Sequence, residues 1–276
     1  MSPLESFAQL VDQRRSPLPL LEAVASLAVD AYPDSDPAVS VAAVGHLGHR
    51  LSQRVAADMS PLHRLRLLNH FMFEELRFRG NVESYDEADN SYLNRVLERR
   101  TGIPISLSVV YAAIGRAIGL KLAGINFPGH FLVKLPLNEG ALLIDVFAGG
   151  VVLSEAELRR RLSSVFDGDP PRPLEAYLHA ASEREVLTRW LHNLKRIHAQ
   201  AGDWEQMLKV ADRLVILRPD SCEELRDRAL AYEQLECPRA AAGDLAQYLA
   251  RRPDAVDAGE VRKRLSELQR SASRLN

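Results

Sequence analysis

The sequence predicts an α+β protein, with helices at both ends of the chain and a small antiparallel sheet between them. Three observations carry that prediction. Residues 1–80 and 174–276 are rich in helix formers, with apolar side chains at spacings of three and four. Three short strand-like runs, Leu120–Phe127, His130–Leu135 and Ala141–Phe147, lie between turn residues. Near the C-terminus Arg218-Pro219-Asp220 recurs as Arg252-Pro253-Asp254, 34 residues later, which is a repeat period of paired helices. Three regions follow: a helical N-terminal region over 1–80, a mixed core over 81–166, and helical repeats over 174–276.

In chain order, Leu18–Leu21 leads into a helix over Glu22–Val29, and Tyr32-Pro33-Asp34-Ser35-Asp36-Pro37 breaks it. A second helix is expected over Pro37–Ala57. A third is expected over Pro61–Phe78, where Leu62, Leu65, Leu68 and Met72 keep helical spacing. Asn81–Asn90 is polar and turn-rich. Tyr92-Leu93 and Val96-Leu97 mark a short helix ending near Arg99–Gly102. Pro104 suits the first turn of the next helix, whose apolar stripe is Leu107, Val110, Tyr111, Ile114 and Ile118, with Gly119 as its stop.

The last two strand-like runs are joined by Pro136-Leu137-Asn138-Glu139-Gly140, a hairpin loop. A loop centred on Leu137-Asn138 places His130 opposite Asp145 or Val146, within reach of a His–Asp contact. A one-residue slip would turn one of the two side chains to the other face. Gly149-Gly150 closes this part, Ser154–Leu162 reads as a short helix, and Asp167–Pro173 reads as a linker. Beyond it, Trp190-Leu191, Gly202-Asp203-Trp204, Ala211 and Pro219 follow the pattern of one tetratricopeptide repeat. The second copy is degenerate, with Glu236 in place of the Gly and Pro238 in place of the aromatic, and Asp257–Leu268 supplies a capping helix.

Composition narrows the function. Hydrophobic residues make up 46% of the 276, enough for a sizeable core. Net charge is −2, from 35 basic and 37 acidic residues, and no nucleic-acid-binding motif stands out, so nucleic acid is not an expected partner. No apolar run spans a bilayer, and Met1–Glu5 lacks the basic and apolar parts of a secretory signal. Cys222 and Cys237, the two cysteines, read as reduced thiols of a cytoplasmic protein. His46 and His49 share a helical face without an acidic partner motif, so neither a metal nor another cofactor is expected.

The chemistry points to Gly102-Ile103-Pro104-Ile105-Ser106, His130 and Asp145. A helix start, then a His, then an Asp is the layout of a thiol acyl-transfer site. There a Cys thiolate sits at a helix N-terminus, a His exchanges its proton, and an Asp orients the His. The same spacing also fits a hydrogen-bonded structural His at a strand start and an Asp at a strand end. Ser106, two residues past Pro104, is a candidate nucleophile, but two residues rotate a helical side chain by about 200°. It reads equally as a satisfied hydroxyl on another face. Asn90 and Asn94 are candidates to line the same cleft or to cap helices, and Arg100 is a candidate anion contact or a helix-end charge.

Asn90–Asn94, Leu97–Tyr111, Phe127–Val133 and Leu143–Phe147 resemble the bacterial Sir-B-type family. In that family a transglutaminase-like domain precedes tetratricopeptide-like helices, and a role in regulating invasion genes has been proposed. The resemblance runs from about residue 20 to the C-terminus and is most specific over 90–147. It implies a papain-type core in which His130 and Asp145 match two catalytic members and Pro104 stands at the Cys position. Proline carries no nucleophilic atom, so the thioester route is closed. The resemblance therefore implies a degenerate transglutaminase-like protein, acting as an interaction or regulatory module with a protein or peptide partner on its repeats. The alternative is a cryptic hydrolase or acyltransferase using His130 and Asp145 with Ser106 or water.

Overall fold

The computed structural model describes residues 1–12 and 17–274. Residues 13–16 and 275–276, parts of the regions expected at 1–80 and 174–276, lie outside the described residues. The chain folds as two compact units. One joins the N-terminal helix to the residues from Leu191 onward, and the other runs from Pro17 to Trp190. The helices of residues 1–80 are thus shared between the units.

In the first unit α1 (Pro3–Leu10) begins on a capping box, in which Ser2 Oγ accepts from Glu5 N and Glu5 answers to Ser2 N. It packs on a later helix through the fully buried Phe7.

The second unit opens with α2 (Leu20–Ser26), followed by a 3₁₀ turn over Leu27–Asp30. Next come α3 (Pro37–Ser52) and α4 (Pro61–Asn69), each with Pro in its first turn behind an Asp or Ser cap. Helix α3 stops short of the expected Ala57. Arg64 gathers the carbonyl oxygens of Ala57, Met59 and Ile118 and so fixes a loop there. The helix expected to reach Phe78 is α-helical only to Asn69. It widens into a π-helical turn over His70–Glu75, with Leu76 N donating to Phe71 O. The wide turn sends both Phe71 and Met72 inward.

Helices α5 (Leu93–Arg99) and α6 (Pro104–Ala117) follow. Arg79–Gly80 (β1), ahead of α5, pairs in parallel with Thr101–Gly102 (β2), between α5 and α6, in a two-residue ladder that the sequence does not predict. Helix α6 is buried nearly all round, from Pro104 to Tyr111 and at Ile114 and Gly115, and α3, α4, α5 and the sheet pack against it. The sheet is an antiparallel meander of β3 (Ala123–Ile125), β4 (Leu132–Pro136), β5 (Ala141–Asp145) and β6 (Val151–Val152), in sequence order. Its strands are shorter than the expected runs because turns occupy the ends. Helix α7 (Glu155–Phe166) closes one side, placing Leu158 and Leu162 against Ile125, Phe127 and Leu132.

The rest of the first unit is helical: α9 (Trp204–Leu217), α10 (Cys222–Gln234), α11 (Pro238–Arg251) and α12 (Ala258–Arg274), with α8 (Glu183–Ala201) carrying the division between the units. The repeat is visible atom by atom. Arg218 N donates to Leu214 O at 2.8 Å, and 34 residues on Arg252 N donates to Tyr248 O at 2.9 Å. Ser221 N to Arg218 O is echoed by Ala255 N to Arg252 O. Charged side chains tie helix to helix: buried Glu224 accepts from His192, Lys195 and Arg218, and Arg228 bridges Asp212 and Asp244. No helix among the described residues is long and apolar enough to cross a membrane.

Candidate functional site

His130 is placed by a turn. Pro128 and Gly129 occupy the middle of a four-residue turn closed by His130 N donating to Phe127 O at 3.0 Å. Gly129 has φ +66°, a conformation that glycine adopts without penalty, and the Pro128 ring presets its own φ at the position before Gly129. His130 therefore stands just ahead of β4 rather than within it. The hairpin register pairs Val133 with Ile144, one residue off the loop centre expected from the sequence. Continuing that ladder puts Leu132, not His130, beside Asp145. The contact forms all the same: His130 Nε2 lies 2.9 Å from Asp145 Oδ1.

Asp145 ends β5 and is 2% exposed. Its Oδ1 also accepts from Ala148 N at 3.1 Å, and its Oδ2 accepts from Arg161 at 2.7 Å. Burial alone would raise this carboxyl. The bonds from His130, Arg161 and the Ala148 amide outweigh burial and hold it at about 2, against an ordinary 3.8. Asp145 is thus a fixed anion whose field is shared between an imidazole and a guanidinium. Arg161 in turn donates through Nε to Glu157 on its own helix. The His130 ring meets the edge of Phe147 at 6.1 Å between centroids, and Phe147 meets Tyr85 at 6.0 Å. Gly80 backs this aromatic pair, since a Cβ there would fall 2.5 Å from the Phe147 ring.

The helix start is built separately. Gly102 lies so close to Ser106 that a Cβ would come within 2.6 Å of the serine Oγ. Ser106 Oγ accepts from Ile103 N at 3.0 Å and donates to Asn90 O at 2.7 Å, and the residue is wholly buried. Its hydroxyl works as a cap, joining α6 to the preceding loop. Asn90 is also wholly buried. It accepts from Asn81 and donates to the carbonyls of Ser84 and Tyr85, so it organises the loop over 81–90. Asn94 keeps a buried Oδ1 without a partner among the described residues. Arg100 ends α5 in the left-handed region, φ 52°, and its guanidinium donates to Leu76 O at 2.7 Å. The structure thus brings His130 and Asp145 together and joins Ser106 to Asn90. Arg100 is turned to the backbone.

Residues 40–192 match the transglutaminase-like superfamily, and residues 194–266 match the tetratricopeptide repeat. The chain belongs to the transglutaminase-like superfamily. It is 38% identical over 254 residues to a UPF0162 protein of Xylella fastidiosa, covering 91% of this chain and 90% of that one. A UPF0162 protein of Pseudomonas aeruginosa is 31% identical over 266 residues, covering 94% of each. Human F-box only protein 21 is 31% identical over 179 residues, 61% of this chain but 27% of that longer protein. The transglutaminase-like match covers Pro104, His130, Asp145 and Arg161, and the repeat match covers α9, α10 and α11.

Arg161 and Phe147 escaped the sequence reading. Glu157 and Arg161 are four apart on a helix and look like an ordinary solvated pair. Only the packing of α7 against the sheet shows that the same guanidinium reaches Asp145. Among the described residues no group of three or more His, Cys, Asp or Glu side chains is arranged to hold a metal ion.

Proposed function

We propose that this transglutaminase-like protein is non-catalytic and acts as a protein-interaction or regulatory module in the cytoplasm. The observation that carries the reading is the helix start: Pro104, buried and without a nucleophilic atom, with the Ser106 hydroxyl two residues on enclosed and engaged on both sides. An acyl-transfer site needs an atom that can leave its proton and attack, and Ser106 would forfeit a buried cap to do so. The tetratricopeptide repeats supply the binding surface. Helices α10 and α12 border a groove of about 310 Å³ lined by Leu230, Leu245 and Val261 and by the ion pairs Arg226–Asp257 and Arg264–Glu233, and Leu230 is 44% exposed. Such grooves take partner helices or extended peptides.

The test is affinity capture with the full chain as bait, in parallel with Leu230→Glu and His130→Ala. Loss of a specific partner in Leu230→Glu with retention in His130→Ala supports the reading. No partner sensitive to substitutions on the repeats counts against it.

A second reading has one observation in its favour. His130 gives Nε2 to Asp145 and leaves Nδ1 without a protein partner among the described residues, the posture of a base poised for water. A cryptic hydrolase of this kind would lose turnover in His130→Ala.

A further inference from the structure

Round α6 from Pro104 and Tyr111 by about a third of a turn, the same unit holds a cavity with no part in the His130–Asp145 site. It measures about 150 Å³ and lies between α6, the N-terminal end of α2, the β3 edge of the sheet and the start of α8. Much of its wall is apolar, with Leu20, Val109, Ala112, Leu122, Phe131 and Val186 among the residues that line it. Cavities of roughly this size with aliphatic and aromatic linings accept a benzene-sized guest.

Three polar groups break the apolar lining. Ser108 is 1% exposed, and its Oγ has no hydrogen-bond partner among the described residues, an unfavourable state for a buried hydroxyl. Ser108 is itself one of the residues that line the cavity. Arg116, on the same face of α6, and Glu183, at the start of α8, stand at the cavity with opposite charges. Neither makes an ion pair or a side-chain hydrogen bond among the described residues.

We infer that this cavity binds a free amino acid with an apolar side chain, its carboxylate on Arg116, its ammonium on Glu183 and its side chain among Val109, Ala112 and Phe131. A ligand with one charge would satisfy one rim residue and be repelled by the other, whereas a zwitterion satisfies both. The apolar lining and the volume favour a side chain of leucine or phenylalanine size. The inference does not depend on whether the His130–Asp145 site is silent.

Isothermal titration of the full chain with L-leucine and L-phenylalanine tests it, with glycine, isopentylamine and 4-methylpentanoate as controls. Saturable binding of leucine or phenylalanine is expected. Glycine and both single-charge analogues should bind at least roughly tenfold more weakly. Ala112→Phe fills the cavity and should abolish binding with the circular dichroism unchanged. If that variant does not fold, Ala113→Leu serves the same purpose. Arg116→Gln and Glu183→Gln should each weaken binding by roughly tenfold. The inference is overturned if neither amino acid binds up to about 10 mM, if isopentylamine or 4-methylpentanoate matches leucine, or if binding survives in the filled cavity.

Discussion

Asp145→Asn isolates the charge at the centre of the site while keeping its shape. In the folded chain the carboxyl sits at about 2 rather than 3.8, a depression worth on the order of 2 kcal/mol. A depressed carboxyl stabilises the fold fully above its unfolded value, and the contribution fades as pH falls through the folded one. At pH 7 the variant should therefore be less stable than the wild type by on the order of 2 kcal/mol, and the difference should shrink to about half that at pH 3 and nearly vanish at pH 2. Urea unfolding at pH 7 and pH 3 measures this. Fluorescence of Trp190, buried with its indole N–H on Ser91 O in the same unit as Asp145, reports the transition. A stability difference that stays constant between pH 7 and pH 3, or grows as pH falls, would refute the assignment of Asp145 as a charge held by His130 and Arg161.

Gly80→Ala drives a Cβ into the Phe147 ring and should cost about 1–3 kcal/mol, read as a lowered Tm. Ser106→Ala leaves Ile103 N and Asn90 O without their shared partner and should cost about 1–2 kcal/mol in urea titration. Ser108→Ala removes a buried hydroxyl with no partner, so the variant should gain about 1 kcal/mol by the same titration.

Much of this fold is legible because local chemistry specifies it. Pro104 starts α6 where proline is tolerated, Pro128-Gly129 makes the turn that presents His130, and the 34-residue spacing reappears as matching hydrogen bonds at Arg218 and Arg252. The hairpin loop centre expected from the sequence lies one residue from the observed one. That shift moves the strand partner by two and preserves the face. What stayed hidden depends on tertiary packing. The β1–β2 ladder is too short to leave a periodic signal. The π-helical turn follows from burying both Phe71 and Met72, and Arg161 carries the pattern of a surface helix pair. Ser106 illustrates the reverse case, since a hydroxyl near a helix start is equally a nucleophile or a cap in sequence. Here its two hydrogen bonds make it a cap.

The most direct test of the proposal that the site keeps its His and Asp but lacks a nucleophile is intact-mass spectrometry after incubation with p-nitrophenyl acetate, on the wild type, Ser106→Ala and His130→Ala. Equal background hydrolysis in all three, with no acyl adduct on Ser106, is the expected result. An adduct on Ser106 that disappears in His130→Ala, or turnover by the wild type that His130→Ala abolishes, would contradict it.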